Sequence, residues 1–210
     1  MSDKQRWPYQ QAYDVAQDLV KILAPACERI VIAGSIRREK SDCGDIELLC
    51  IAQPYDHDLW SLAPLDRLLQ NTPRIFSTRG GFGPRNKLML HVPSGIPVDI
   101  FTTTSIPCDC GMRGDVPNTL GSPCPKCRGT GRYAPHWGMA LMVRTGSREW
   151  NIRFMARFKQ LGFAGHAYEW NGKGARHGSV STPTGEVDCP EEADVFRLLG
   201  WKYIEPGGRI

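Results

Sequence analysis

The sequence predicts an α+β protein with a cysteine-rich insert, and three observations carry that prediction. Tyr9, Ala12, Tyr13, Ala16, Leu19, Val20 and Leu23 recur at helical spacing, so the chain begins with an amphipathic helix that needs a surface to cover. Asp45 to Ile51 instead alternates with a period of two, which places Asp45 and Glu47 on one face of a strand and Ile46, Leu48 and Cys50 on the other. Finally, Cys108, Cys110, Cys124 and Cys127 bracket a stretch rich in Gly and Pro that has too few apolar residues to fold by burial alone. With 41% hydrophobic and 23% charged residues, the rest has ordinary globular composition.

Taken in order, the first helix has Pro8 in its opening turn and Pro25 near its end. Arg29 to Ala33 is apolar and β-branched and reads as a buried strand, which Gly34-Ser35 interrupts with a residue that lets a phosphate approach the backbone. Ser35 offers a hydroxyl and Arg38 a planar fork of donors, while Arg37 reads as support for the loop. The carboxylates of Asp45 and Glu47 repel each other, and a divalent cation with a taste for hard oxygen ligands, magnesium or manganese, makes such a pair tolerable. A second helix is read from Leu59, Leu62, Leu65, Leu68 and Leu69. Arg79 to Asn86 is a hairpin loop by composition, its two arginines being alternative phosphate contacts. Lys87 to Val92 and Ile96 to Thr102 pair around Pro93-Ser94-Gly95. Asp is disfavoured in strands, so Asp99 within an apolar one reads as a ligand beside Asp45 and Glu47, provided the strands are neighbours.

Cys108-Asp-Cys110 and Cys124-Pro-Lys-Cys127 resemble the two knuckles of a zinc ribbon or of the cysteine-rich modules of DnaJ-type chaperones, and four thiolates close a tetrahedral zinc shell. His136 is a spare ligand candidate, although it reads more readily as the start of the next element. Cys27, Cys43, Cys50 and Cys189 read as small core or loop residues. Gly138 to Val143 is expected to be a strand, which Thr145-Gly146-Ser147 turns into a helix burying Trp150, Phe154, Phe158 and Leu161 and displaying Arg148, Arg153 and Arg157. Asn171 to Pro183 reads as a Gly-rich hairpin or loop. A last helix, Pro190 to Leu199, stops at Gly200, and Trp201 and Tyr203 read as core aromatics. Between Arg128 and Lys159 there are seven Lys or Arg against one acid, Glu149, so Arg128, Arg132, Arg148 and Arg153 form a candidate DNA-facing surface; a solvated basic face is the plain alternative.

The stretch from Gly34-Ser35 through Arg37-Arg38 to Gly44-Asp45-Ile46-Glu47 resembles the G-S-x-R-R…G-D-x-D signature of family X DNA polymerases, the DNA polymerase beta-like group of the nucleotidyltransferase superfamily. Pro97-Val98-Asp99-Ile100-Phe101, Thr145-Gly146-Ser147 with Asn151, and Trp201-Lys202-Tyr203-Ile204-Glu205-Pro206 resemble its further motifs in the same order. The resemblance implies a nucleotidyltransferase palm with a mixed sheet and helices on one face (1–106), a zinc-binding insert (107–134), a final palm strand (135–145) and a small α/β C-terminal subdomain (146–210). It implies that Asp45, Glu47 and Asp99 hold two magnesium or manganese ions, and that Gly34, Ser35, Arg38, Gly44, Thr145, Gly146, Ser147 and Asn151 bind the nucleotide. It further implies a DNA-directed DNA polymerase that fills short gaps in repair, with gapped DNA and deoxynucleoside triphosphates as partners. Three departures stand out. Glu47 replaces the usual Asp; Pro97 stands where the family has an arginine that orients the third carboxylate, leaving Asp99 in need of another partner; and Val143-Arg144 replaces an aromatic pair at the sugar, so looser rejection of ribonucleotides is expected. The family's lyase and helix-hairpin-helix regions have no counterpart before Pro8, and its core pattern has no cysteine insert.

No run of eighteen apolar residues and no apolar leader occurs, so a cytoplasmic monomer is expected, with no membrane partner, in a bacterial or phage-infected host cell. The net charge of +4 is too small to establish a nucleic-acid partner by itself. Two other readings stay open: a template-independent nucleotidyltransferase acting on RNA, protein or a small molecule, and a zinc-dependent nucleic-acid-binding protein with a disabled site.

Overall fold

The computed structural model describes residues 5–55, 62–110, 124, 126–167 and 178–209. A short β1 (Trp7–Pro8) leads into α1 (Tyr9–Leu23), and β2 (Cys27–Ile32) is followed by one tight turn of helix, α2 (Gly34–Arg37). Then come β3 (Asp42–Cys43), β4 (Ile46–Ala52), α3 (Pro64–Gln70), β5 (Phe76–Phe82), β6 (Asn86–His91) and β7 (Ile96–Thr103). The insert is flanked by β8 (Ile106–Pro107) and β9 (Arg132–Tyr133), and the chain ends with α4 (Trp137–Thr145), α5 (Arg148–Gln160), β10 (Ala164–Gly165), β11 (Val180–Thr182), β12 (Gly185–Val187) and α6 (Glu192–Leu199). Leu59, residues 111–123 of the insert and 171–177 of the Gly-rich stretch lie outside the described residues.

Five strands form one mixed sheet in the order β2-β4-β7-β6-β5; β4 and β7 run parallel and every other pair antiparallel. The alternation expected of β4 holds. Ile46, Leu48 and Cys50, with Val98 and Ile100 of β7, pack against Ala12, Ala16, Leu19 and Leu23 of α1 and Leu65 and Leu69 of α3. Leu49, Ile51 and Phe101 point the other way, onto Trp137, Ala140 and Leu141. The sheet is therefore covered on both faces, not on one.

The second cover is α4, and it corrects the strand expected over Gly138 to Val143 and over 135–145. Gly-Met-Ala-Leu-Met-Val is apolar at every position, and such a run has no periodicity to separate a buried strand from a helix buried on two sides. The residues that decide are Met139, Ala140, Leu141 and Met142, all strong helix formers. Its sheet side carries Trp137, Ala140 and Leu141, whereas Met139 and Met142 join Trp150, Phe154, Phe158, Val195, Phe196 and Leu199 in a second core. That core is closed by α5, α6 and the small antiparallel sheet β10-β11-β12.

The helix ends follow their sequence signals. Ser147 caps α5 by accepting a hydrogen bond from the Trp150 amide at 3.0 Å. Glu191 and Asp194 form a reciprocal capping box at the start of α6, which Gly200 ends in the left-handed conformation. Trp201 packs on the second core as expected; Tyr203 is 42% exposed, with its ring 4.9 Å from Phe196.

Candidate functional site

The parallel pairing of β4 and β7 sets Glu47 opposite Asp99 in register, and both side chains lie on the face that α4 covers. Asp45 stands just before β4, on the same side of the alternation as Glu47. Gly34 faces this pair. Its φ is +63°, and a Cβ there would lie 2.0 Å from Glu47 Oε2, so the turn needs a residue without a side chain both for conformation and for space. Ser35 follows with its hydroxyl buried and without a hydrogen-bond partner. Gly44 separates β3 from β4, and a Cβ there would come 3.7 Å from Arg6 Nη1.

Burial pushes the Glu47 carboxyl up to about 7, with the Asp45 and Asp99 carboxylates adding to the rise and the Arg144 and Arg38 guanidiniums opposing it. Asp99 is paired with Arg79 of β5. The three carboxylates share one face but do not converge: among the described residues, the four cysteines are the group gathered closely enough to hold a metal ion.

The opposite wall is the junction of α4 and α5. Arg38 donates to the carbonyls of Thr145 and Gly146, the latter at 2.9 Å, and its Nε is buried without a partner. Thr145 Oγ1 accepts from Arg37 at 2.5 Å. Gly146 has no room for a side chain, since a Cβ would sit 2.4 Å from Trp150 and 2.7 Å from Asn151. Asn151 donates to the Val143 carbonyl at 2.8 Å, so its amide holds the turn, while its Oδ1 is buried without a partner. The Arg144 guanidinium lies 3.6 Å from the Phe101 ring centroid and Val143 packs partly against the second core. Between the two walls opens a cleft of about 880 Å³, lined by Arg38, Lys40, Glu47, Arg148, Ile152 and Met155 among others. The structure thus gathers Arg38, Glu47, Val143, Arg144 and the Gly146–Asn151 turn around one cleft, with Gly34 packed behind Glu47 and Asp99 in register beside it, whereas Ser35, Gly44, Asp45, Asp99 and Thr145 do not line it.

The expected DNA-facing arginines divide. Arg148 lines the cleft, and Arg153 stands over the Trp150 ring at 5.6 Å. Arg128 pairs with Glu191 at 3.1 Å while its side chain stays 67% exposed, and Arg132, half-buried, pairs with Glu28 at 3.4 Å and donates to Ser105.

Near β8 and β9 the sulfurs of Cys108, Cys110, Cys124 and Cys127 lie within 4.8 Å of one another, Cys108 and Cys124 at 3.8 Å and Cys110 and Cys127 at 3.6 Å. A tetrahedron of sulfurs about 2.3 Å from a central ion has edges of about 3.8 Å, so this group has the size of a metal shell. Burial pushes the Cys108 thiol up to about 12, whereas the backbone N–H groups of Cys127 and Lys126 hold Cys124 down at about 7.

Sequence reasoning missed two features. Arg79 belongs to a strand, not to a loop, and pairs with Asp99 across the intervening β6; the only signal was the lack of an arginine at Pro97. Glu192, 4% exposed, is held by Arg37 of α2 at 3.0 and 2.9 Å and by Arg209 at 2.5 and 3.0 Å, tying the turn after β2 to the C-terminal core. No signal in the sequence pairs these three residues. The chain matches no protein-family model and no curated protein. Among the described residues, no helix is long and apolar enough to cross a membrane.

Proposed function

We propose that this chain is a nucleotidyltransferase, most specifically a DNA polymerase of the family X type that adds deoxynucleotides to a primer 3′-hydroxyl at short gaps. The observation that carries the reading is the cradle of Gly34 and Ser35 packed directly against Glu47, with Asp99 in register beside it. An anion site and an acid pair in contact suit a reaction between a triphosphate and a hydroxyl. The orphaned Ser35 hydroxyl and Arg38 Nε are donors waiting for an acceptor, which a phosphate supplies.

The donor set also fits magnesium or manganese by chemistry, since three carboxylates on one face are hard oxygen ligands, although a bound ion would have to draw them closer than they lie. Asp45, Glu47 and Asp99 would hold two such ions, which supply charge neutralisation and an activated hydroxyl when bound. Ser35 and Arg38 would orient the triphosphate, and α5 would bound the cleft on the side of the base and template. The four cysteines suit zinc in a structural role, four thiolates and no open position being the usual closed shell.

A second reading, template-independent transfer to RNA, protein or a small molecule, is favoured by one observation. The amide of Asn151 is spent on the Val143 carbonyl, and Arg132 is held by Glu28 and Ser105, so neither points to a base or a DNA strand. Primer extension on a gapped duplex, with matched, mismatched and template-free controls and with RNA, protein and small-molecule acceptors offered alongside, tests both. Incorporation that follows the template supports the polymerase, incorporation indifferent to it supports the second reading, and none with any acceptor refutes both.

A further inference from the structure

We infer that the four-cysteine metal centre is an effector site for the Gly34–Ser35 cradle: metal occupancy fixes the segment 188–192, and through Glu192 and Arg37 it holds the cradle helix in place. The inference rests on reading the four cysteines as a metal site; its hydrogen-exchange test is independent of the reaction in the cleft, and only its nucleotide-binding test rests on the nucleotidyltransferase reading.

Contacts on the module side begin next to the ligands. Lys126 lies between Cys124 and Cys127, and Arg128 follows Cys127, so a metal that fixes the sulfurs fixes the backbone carrying both cations. The backbone is tightly wound here: the Arg128 amide donates to the Cys124 carbonyl at 2.7 Å, and Arg128 adopts a φ of 51°. Lys126 reaches Asp188 at 3.4 Å, Arg128 reaches Glu191 at 3.1 Å, and the Tyr133 hydroxyl donates to Asp188 at 2.7 Å. These ties border an open cleft of about 780 Å³ whose lining includes Lys126, Arg128, Glu191 and Arg37. The module is therefore moored there largely by charge.

The segment it grips has little freedom of its own. The Cys189 amide donates to Pro135 at 2.9 Å and its carbonyl accepts from Gly138 at 2.8 Å, and a Cβ on Gly138 would lie 2.2 Å from the Glu191 carbonyl oxygen. Glu191 also takes both arms of Arg29 at 3.0 Å. Its neighbour Glu192 opens α6 and holds Arg37, the last residue of α2, whose first residues are Gly34 and Ser35. Two ion pairs, Arg128–Glu191 and Arg37–Glu192, joined by the backbone between neighbouring residues, thus link Cys127 to the helix that carries Ser35. When the metal leaves, the short polar loop 126–131 loses the centre it is folded around, Lys126 and Arg128 lose their fixed origin, and the 188–192 segment keeps its ties to Tyr133, α4 and Arg29 but loses those to the module.

The test uses the full chain, with metal content measured directly and hydrogen exchange followed by segment. Removing the metal with a strong chelator is expected to raise exchange in 188–199 and 34–38 by about five- to tenfold and to weaken binding of a non-hydrolysable nucleoside triphosphate by a similar factor, with α1 and β6 unchanged. A Lys126→Gln/Arg128→Gln variant keeps all four cysteines and separates coupling from unfolding: it should retain its metal and show the same rise in both segments. Metal loss, or this variant with metal retained, leaving exchange in 34–38 unchanged overturns the inference while sparing the metal reading. A chain that takes up neither zinc nor another thiophilic ion overturns the metal reading and the inference with it.

Discussion

Replacing Glu47 by Gln should stabilise the metal-free protein, and by an amount that depends on pH in a defined way. The carboxyl sits at about 7 in the folded chain, against an ordinary value of 4.5, chiefly because it is buried and then because Asp45 and Asp99 are near. Between those two values the folded state binds the proton more tightly than the unfolded state, so unfolding releases it and stability falls as pH rises. Below about pH 4.5 the penalty is absent, and above about pH 7 it is complete, on the order of 3 kcal/mol at about 1.36 kcal/mol per pH unit. For a chain of this length that is a change in Tm of about 5–10 °C. Thermal unfolding of both proteins from about pH 5 to about pH 8 reads it: the wild-type curve should descend relative to that of Glu47→Gln, the two meeting at the acid end. Magnesium or manganese should close the gap from the other side, raising the wild-type Tm most at the alkaline end and that of the Gln variant little. Parallel curves would refute the account, since they would mean that Glu47 titrates as an exposed carboxyl does.

Asp45→Asn and Asp99→Asn should abolish nucleotide incorporation while leaving the far-UV circular dichroism and Tm close to wild type; near-normal turnover in either would remove it from the metal site. Arg79→Gln frees Asp99 from the cation that now occupies it, so manganese binding read by electron paramagnetic resonance should tighten by roughly three- to tenfold, and an unchanged or weaker affinity would show that the arginine does not compete for that carboxylate. Glu192→Ala leaves Arg37 and Arg209 facing each other without a counter-charge and should cost about 3–5 kcal/mol in urea unfolding, whereas a loss under about 1 kcal/mol would show that the buried pair is dispensable. Cys124→Ser/Cys127→Ser should eliminate bound metal, and metal affinity of the intact protein should weaken as pH falls, because protons compete with the ion for the four thiolates; metal content after dialysis across a pH series checks both, and retention by the double variant would remove these cysteines from the site.

The elements that sequence reasoning placed correctly carry a polar residue at a diagnostic spacing. In α1 a polar face alternates with an apolar one and the period identifies the helix; in β4, buried on both faces, Asp45 and Glu47 mark the alternation at its start, and the register of β7 against β4 then brings Asp99 to Glu47. What was not legible has two physical origins. A helix buried on two sides, such as α4, is uniformly apolar and carries no period. Charge pairs between distant parts of the chain carry no local signal at all: Arg79 lies 20 residues from Asp99, and Arg37 lies 155 from Glu192. The basic stretch after Arg128 illustrates the same point from the other side. Its charges are visible in the sequence, but whether they meet solvent, phosphate or Glu191 and Glu28 is decided by tertiary placement alone.

The double burial of α4 also decides how firmly the two walls of the cleft are joined. Met139 and Met142 belong to the core that holds α5 and α6, so a hinge at Gly146 would have to tear that core open. The other side of the helix is fastened to the sheet as well, with Trp137 packed among Leu49, Ile51 and Phe101 and the Arg29 guanidinium 4.2 Å from its ring centroid. Across the same junction Arg38 holds the Thr145 and Gly146 carbonyls and Arg37 holds Glu192. The spacing between Glu47 and the Gly146 turn is therefore set by packing and charge together, and a substitution that loosens either face of α4 reaches the cleft without touching a residue that lines it.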